Sequence, residues 1–339
     1  MKLLVVDASV GFNGSAALAA RWAGHLRRRG IDAAATLPND PDGPLRRVYV
    51  AEGVPVLGPT VSLEPDTVAL FTTAAARTMV QQVGRPARSI WLIRDGHAGL
   101  VSLAAPPGID RLWETIGALV FHDGIQPRDI FAPFLRTTRP DRVHIVPPGV
   151  DLPQPEAVPP PAEGALRVAA VGTIGPRKRQ GDLLMALVRM GDPGVTAELV
   201  GRVGDLPAEA VRAAQLLAER LRFHGELPVG AVPEVLAGCH AVVLPSDEGI
   251  APLAVLEAAA RGLVPVLADL PAYRDVWRHG RNCLLHPPGD VPMLAWCLRI
   301  LASDPDLRRR LAAAARATAA RFPAASFCAR MDLVMAGLG

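Results

Sequence analysis

Lysine is nearly missing from this chain of 339 residues: Lys2 and Lys178 are the only two, although lysine and arginine together number 36. Codon composition alone can produce that skew, but it singles out Lys178. Long apolar runs are missing too. None approaches the roughly 18 residues a membrane span needs, so no membrane-spanning helix is expected. Charge of either sign is scarce in net terms. The formal value of +3, spread evenly, argues against a nucleic-acid partner. The four cysteines (Cys239, Cys283, Cys297 and Cys328) show no CxxC spacing and all lie in the second half, which reads as reduced, mostly buried thiols in a cytoplasmic protein. A full GxGxxG is lacking, so a dinucleotide cofactor is poorly supported. The histidines form no metal cluster, and the two DPD triplets, 40–42 and 304–306, read as turns, so no metal is expected.

What is present fits a soluble α/β protein. Half the residues are hydrophobic and the mean hydropathy is +0.24, and the length favours two domains. "KLLVVDA" at the start reads as a first strand, not a signal peptide. "AALAARWAGHLRRRG" reads as a helix ending at Gly30. "TVALFTT", "SIWLIRD", "IGALVFHD" and "RVHIVPPGV" are further strands, continuous in apolar residues as buried parallel strands are. Residues 152–165 hold five prolines and read as a stiff linker. After it the strand–helix rhythm restarts with "LRVAAVGTIG". Two doubly wound domains with a cleft between them are expected, with ligands held at the carboxyl ends of strands.

Three strand ends carry candidate chemistry. In "SDEGIAPLAVLEAAARG" (246–262) a loop with Glu248 and Gly249 leads to a helix opening with Pro252 at its first position and closing before Gly262. Free backbone N–H groups there suit an anionic or polyhydroxyl ligand. Glu257, in the second turn, can accept two hydroxyl donors, as a ribose diol offers. It can equally form a surface ion pair with Arg261 at i, i+4. "VGTIGPRKRQGDLL" (171–184) presents Arg177, Lys178 and Arg179 after a glycine turn, suited to a diphosphate or to plain solvation. "DASVGFNGSAALAA" (7–20), with Gly11 and Gly14, is either a phosphate-brushing loop or a tight turn.

Together, "VGTIGPRK…DLL", "FHGELP", "AVVLPSDEG" and "PLAVLEAAARGLVPVLA" resemble the carboxyl-terminal domain of retaining, GT-B-fold glycosyltransferases of family 4 (glycosyl transferases group 1). "IVPPGVD" (145–151) is similar to that family's domain junction, and "NGSAALAARWAGHLRRRGIDA" to its first loop and helix. The resemblance implies two Rossmann-like domains facing across a cleft: an acceptor domain over 1–151, a nucleotide-sugar domain over 152–321, and a helix from 322 to 339 crossing back to the first. It implies transfer of a sugar from a UDP- or GDP-linked donor to an acceptor hydroxyl, with retention, without a metal or other cofactor. Glu257 matches the second Glu of the family's EX7E motif, which binds ribose. Glu248 matches the first, near the transferred sugar. Lys178 matches the diphosphate lysine, with Arg177 beside it. Gly249, Ile250, Ala251, Pro252 and Leu253 would serve sugar and phosphates through their backbone, together with Gly172 and Thr173. His224, Gly225 and Glu226 would lie near the base, and Gly14 in a loop closing over the phosphates. A catalytic-side histidine is implied in the first domain, His97 being the best match and His122 the runner-up, with Asp95 and Asp123 as neighbours.

The chain departs from the family pattern at two places. Thr173 stands where many relatives carry arginine, and eight residues separate Glu248 from Glu257 instead of seven. These departures support an alternative, a non-catalytic glycosyltransferase-like partner subunit. Trp22, Arg21 and Arg27 to Arg29 suggest contact with an anionic membrane at its inner face, or a solvated helix end. Base, sugar, acceptor and oligomeric state are not legible.

Overall fold

The computed structural model describes residues 1–9, 14–58, 63–72, 88–96, 113–154, 165–228, 230–250 and 252–338. The chain divides into two compact units, Met1–Gly149 with Ala324–Gly339, and Val150–Pro323.

In the first unit the apolar runs become β1 (Lys2–Val6), β4 (Thr67–Thr72), β5 (Ser89–Leu92), β6 (Ala118–Phe121) and β7 (Val143–Ile145), and every residue of β4, β5 and β6 is buried. Between β1 and β4 in the chain lie α1 (Gly14–Arg28), β2 (Ala33–Thr36), α2 (Pro44–Ala51) and β3 (Val56–Leu57). The sheet is parallel, in the order β3-β2-β1-β4-β5-β6-β7. The Ala-rich β2 and the two-residue β3 carry little strand signal of their own; backbone pairing to β1 and β2 draws them into the sheet. Helix α1 buries Leu18, Trp22 and Leu26, one per turn. It stops at Gly30, which takes φ +80° and donates to the Arg27 carbonyl at 2.9 Å.

The second unit contains β8 (Arg167–Val171), α3 (Gln180–Met190), β9 (Thr196–Val200), α4 (Ala208–Leu216), β10 (Leu221–Gly225), α5 (Val232–Ala237), β11 (Ala241–Leu244), α6 (Leu253–Ala260), β12 (Val264–Ala268), β13 (Leu284–His286), α7 (Val291–Ser303) and α8 (Pro305–Ala319). Its strands are parallel, in the order β10-β9-β8-β11-β12-β13. Val168, Leu183, Leu187, Leu199, Val243 and Leu298 are among the residues of its core. Pro252 is the N-cap of α6, with extended ψ of 105°, so the helix opens at Leu253 and not at the proline.

The last helix, α9 (Ala324–Ala336), belongs to the first unit and packs on α1. Asp332 on α9 accepts from Trp22 Nε1 at 2.9 Å, lies 3.1 Å from His25 Nε2, and is paired with Arg29. Val150 and Phe322, near the ends of the second unit, are joined by a 2.9 Å backbone bond. Most of the proline-rich stretch, 155–164, lies outside the described residues. Among the described residues no helix is long and apolar enough to cross a membrane.

Candidate functional site

In the second sheet the chain runs outward from β8 to β9 and β10, then crosses over to β11 on the other side of β8. β8 and β11 are therefore neighbours whose following loops leave in opposite directions. Such a switch point opens a crevice at the carboxyl ends of the strands. The loops 172–179 and 245–252 both start there.

The first loop is built closely. Gly172 takes φ +131°, and its N–H bonds the Val200 carbonyl at 2.9 Å. A methyl group on Gly201 would overlap the Gly172 carbonyl, so glycine is needed there for the β8 and β9 loops to touch. Gln180, 1% exposed, ties the loop to α3: its Oε1 accepts from Gly175 N at 3.1 Å and its Nε2 donates to the Thr173 carbonyl at 3.2 Å. Thr173 itself is exposed. The turn Pro176–Lys178 then delivers the three cations to different fates. Arg179, at φ 52°, donates to Asp182 at 2.8 Å and pairs with Asp247 at 3.2 Å, so its charge is matched by two carboxylates. Lys178 is half-buried and lies over Gly172, its Cε 4.0 Å from where a β-carbon on that glycine would stand. Arg177 is exposed, and its carbonyl accepts from Asp247 N at 3.3 Å.

The Arg179–Asp247 pair and the Asp247–Arg177 bond join the two loops. In the second loop Ser246 is fully buried, and Glu248, Gly249 and Ile250 are half-buried. Glu257 is half-buried on α6, between the buried Leu256 and Ala258. Arg261 donates to the main-chain carbonyl of Glu257 at 2.9 Å, so this guanidinium serves the end of the helix. Ala251 lies outside the described residues.

Residues that the sequence reading did not single out complete the surroundings. Tyr273 ends the turn Pro271–Tyr273 after β12, His286 ends β13, and Ser246 follows β11. All three are buried, and Tyr273 Oη, His286 Nε2 and Ser246 Oγ have no hydrogen-bond partner among the described residues. Burial pushes the Tyr273 phenol up, Arg177 opposing and Glu248 reinforcing the shift. Burial pushes the His286 imidazole down, against the pull of its bond to the Pro287 carbonyl at 2.9 Å. Each of these side chains sits at or just after a strand's carboxyl end. That position was the one available signal.

His224, Gly225 and Glu226 lie at the end of β10, the sheet edge, with β9 between them and β8. His224 Nε2 is 2.6 Å from Glu198 Oε2, and the Gly225 carbonyl accepts from Gly201 N at 2.8 Å; Glu226 is exposed. In the first unit Gly14 is the first residue of α1. His97 lies outside the described residues. His122 is 2% exposed, with Nδ1 on the Val146 carbonyl at 2.8 Å, and burial, then Arg94, holds it well below the usual histidine range. Asp123 accepts from the backbone of Ile125 and Gln126, both at 2.9 Å, and the Asp95 carbonyl accepts from Gln126. Trp22 is fully buried and bonded to Asp332, so it is not a membrane anchor in this fold. Among the described residues no group of three or more His, Cys, Asp or Glu side chains is arranged to hold a metal.

Residues 156–318 match the family model described as glycosyl transferases group 1. Those residues lie within the second unit. Solved structures extend the likeness to nearly the whole chain. HepE of Anabaena in complex with UDP-glucose is 19% identical, with 99% of each chain covered and a TM-score of 0.76. The lipopolysaccharide outer core galactosyltransferase WaaB is 16% identical over 98% of this chain and 99% of its own, at 0.69. Sucrose-phosphate synthase from Thermosynechococcus elongatus is 16% identical over 98% of both, at 0.71. No curated protein matches by sequence. The two parallel sheets, one in each unit, thus have the Rossmann-like architecture of the GT-B fold.

Proposed function

We propose that the protein transfers a sugar from a nucleotide-diphosphate sugar to an acceptor hydroxyl, with retention at the anomeric carbon and without a bound metal. The observation that carries this reading is the joining of the Arg177–Lys178 loop to the Glu248–Gly249 loop at the switch point of the second unit. In HepE of Anabaena the ligands are UDP, glucose and UDP-glucose, which supports a UDP-linked donor here, with a GDP-linked one as the other candidate.

In this mechanism Arg177 and Lys178 neutralise charge building on the leaving diphosphate, Arg as a fork and Lys as a point charge. The backbone N–H groups of Gly249, Ile250 and Leu253 add donors at the positive end of α6. Glu257 accepts from the two ribose hydroxyls, and Glu248 from the transferred sugar. Gly172 and Thr173 line the phosphates, while His224, Gly225 and Glu226 face the base. The first unit receives the acceptor. The leaving phosphate itself assists attack from the same face, so no protein nucleophile is required.

Calorimetry and thermal shift with UDP, GDP, ADP and dTDP, with and without their sugars, test the reading. Lys178→Ala and Glu257→Ala each remove a charge-assisted bond worth about 1.5–3 kcal/mol, so affinity falls roughly ten- to a hundredfold. A folded wild type that binds none of these ligands sinks it. Thr173 and the longer Glu248–Glu257 spacing favour one other reading, a non-catalytic partner subunit. That subunit would show nucleotide binding with no sugar transfer to any acceptor.

A further inference from the structure

Two hydroxyls lie buried under the loop 246–250 without a hydrogen-bond partner among the described residues: Ser246 Oγ, in a fully buried residue, and Tyr273 Oη, in a residue 1% exposed. A buried tyrosine hydroxyl normally finds a partner, because it can both donate and accept. Here the backbone at Gly249 is pressed against it. A methyl group on Gly249 would overlap Tyr273 Oη and stand 2.6 Å from the ring carbon Cζ. Only glycine lets the loop lie this close, yet the contact yields no hydrogen bond. The hydroxyls therefore complement a different arrangement of the loop backbone.

Glycine also permits such a rearrangement, since the peptide planes flanking Gly249 can rotate without a Cβ to obstruct them. In a trans peptide the C=O and N–H point in opposite directions. Rotating the Gly249–Ile250 peptide so that its carbonyl faces Tyr273 Oη turns the Ile250 N–H away from the phenol, toward a ligand above the loop. One motion satisfies the hydroxyl and adds a donor to the site. Charged groups of both site loops are near enough to influence this phenol, Arg177 and Glu248 acting in opposite senses.

We propose that Tyr273 is a positioning residue for the donor: its hydroxyl gains a hydrogen-bond partner on the 246–250 backbone only when a nucleotide sugar seats that loop. The inference rests on the donor reading above and adds to it a residue that acts through Gly249, not by touching the sugar.

Tyr273→Phe tests it, measured by calorimetry with UDP-glucose and GDP-mannose and by thermal melting without ligand. The unliganded variant should melt no lower than the wild type, and slightly higher is expected, because the hydroxyl it loses has no partner. Its affinity for whichever of the two the wild type binds should fall roughly three- to tenfold, the worth of one ordinary hydrogen bond. A lower melting temperature in the unliganded variant overturns the proposal, since the hydroxyl then serves the resting fold. Unchanged melting with unchanged affinity overturns it as well. If the wild type binds neither these two nor any of UDP, GDP, ADP and dTDP, the donor reading itself has failed and this inference falls with it; wild-type binding with an indifferent variant removes this inference alone.

Discussion

Gly201 takes φ +139°, and a methyl group there would overlap the Gly172 carbonyl. Gly201→Ala therefore combines backbone strain with a clash, and should cost at least about 2 kcal/mol. For a unit of this size that is a fall of roughly 4–8 °C in melting temperature, checked by calorimetry, and nucleotide affinity should drop because the Gly172 turn is displaced. The same scale shows what a sequence can say about a site. Lys178 and Glu257 are candidates because a rare lysine and a carboxylate within an apolar helix stand out in the sequence. Arg177 and Arg179 look alike in sequence. Only the fold shows that Arg179 is matched by Asp182 and Asp247, and that Arg177 is exposed. Tyr273 and Ser246 were not legible, because an unpaired hydroxyl is a property of its surroundings.

Between elements, the joint of α1 and α9 is decided by one carboxylate. Asp332 takes the Trp22 indole N–H and His25 from α1 and Arg29 from just beyond its end. In Asp332→Ala the buried indole N–H loses its acceptor, at a cost of about 1–3 kcal/mol. The expected result is a lower melting temperature and faster proteolytic cleavage near Pro323, with nucleotide affinity unchanged. Cleavage and melting like the wild type would show that apolar packing alone holds α9. The sequence marked Trp22 and the arginines as one conspicuous group, and only the fold shows that Trp22 is buried while Arg27 to Arg29 stay exposed. The short strands β2 and β3 were likewise invisible in the sequence, since pairing rather than propensity makes them strands. The long apolar strands needed no such help.

Across the whole molecule, buried histidines set the pH response. His122 in the first unit and His286 in the second are both held below the usual value, chiefly by burial. Folded, they stay neutral where the unfolded chain takes up protons, so the unfolded state binds more protons below about pH 6.5. Stability is therefore fully present above that pH and declines as pH falls through it, by up to about 1.4 kcal/mol per pH unit for each histidine. Thermal melting at pH 7.5, 6.5 and 5.5 checks this, and His122→Phe should flatten the slope. A slope unchanged in that variant would assign the pH response to other groups.

The sequence by itself determined two parallel α/β sheets, the helices that cover them, and the strand ends where ligands are to be sought. Those properties follow from local composition: unbroken apolar runs bury on both faces, and glycine and proline mark where they stop. The tertiary structure alone decided which strand ends become neighbours, because sheet order is set by crossovers between segments far apart in the chain. That order put the Lys178 loop beside the Glu248 loop, neutralised one of three similar cations, and left the Tyr273 hydroxyl beneath Gly249 without a partner among the described residues.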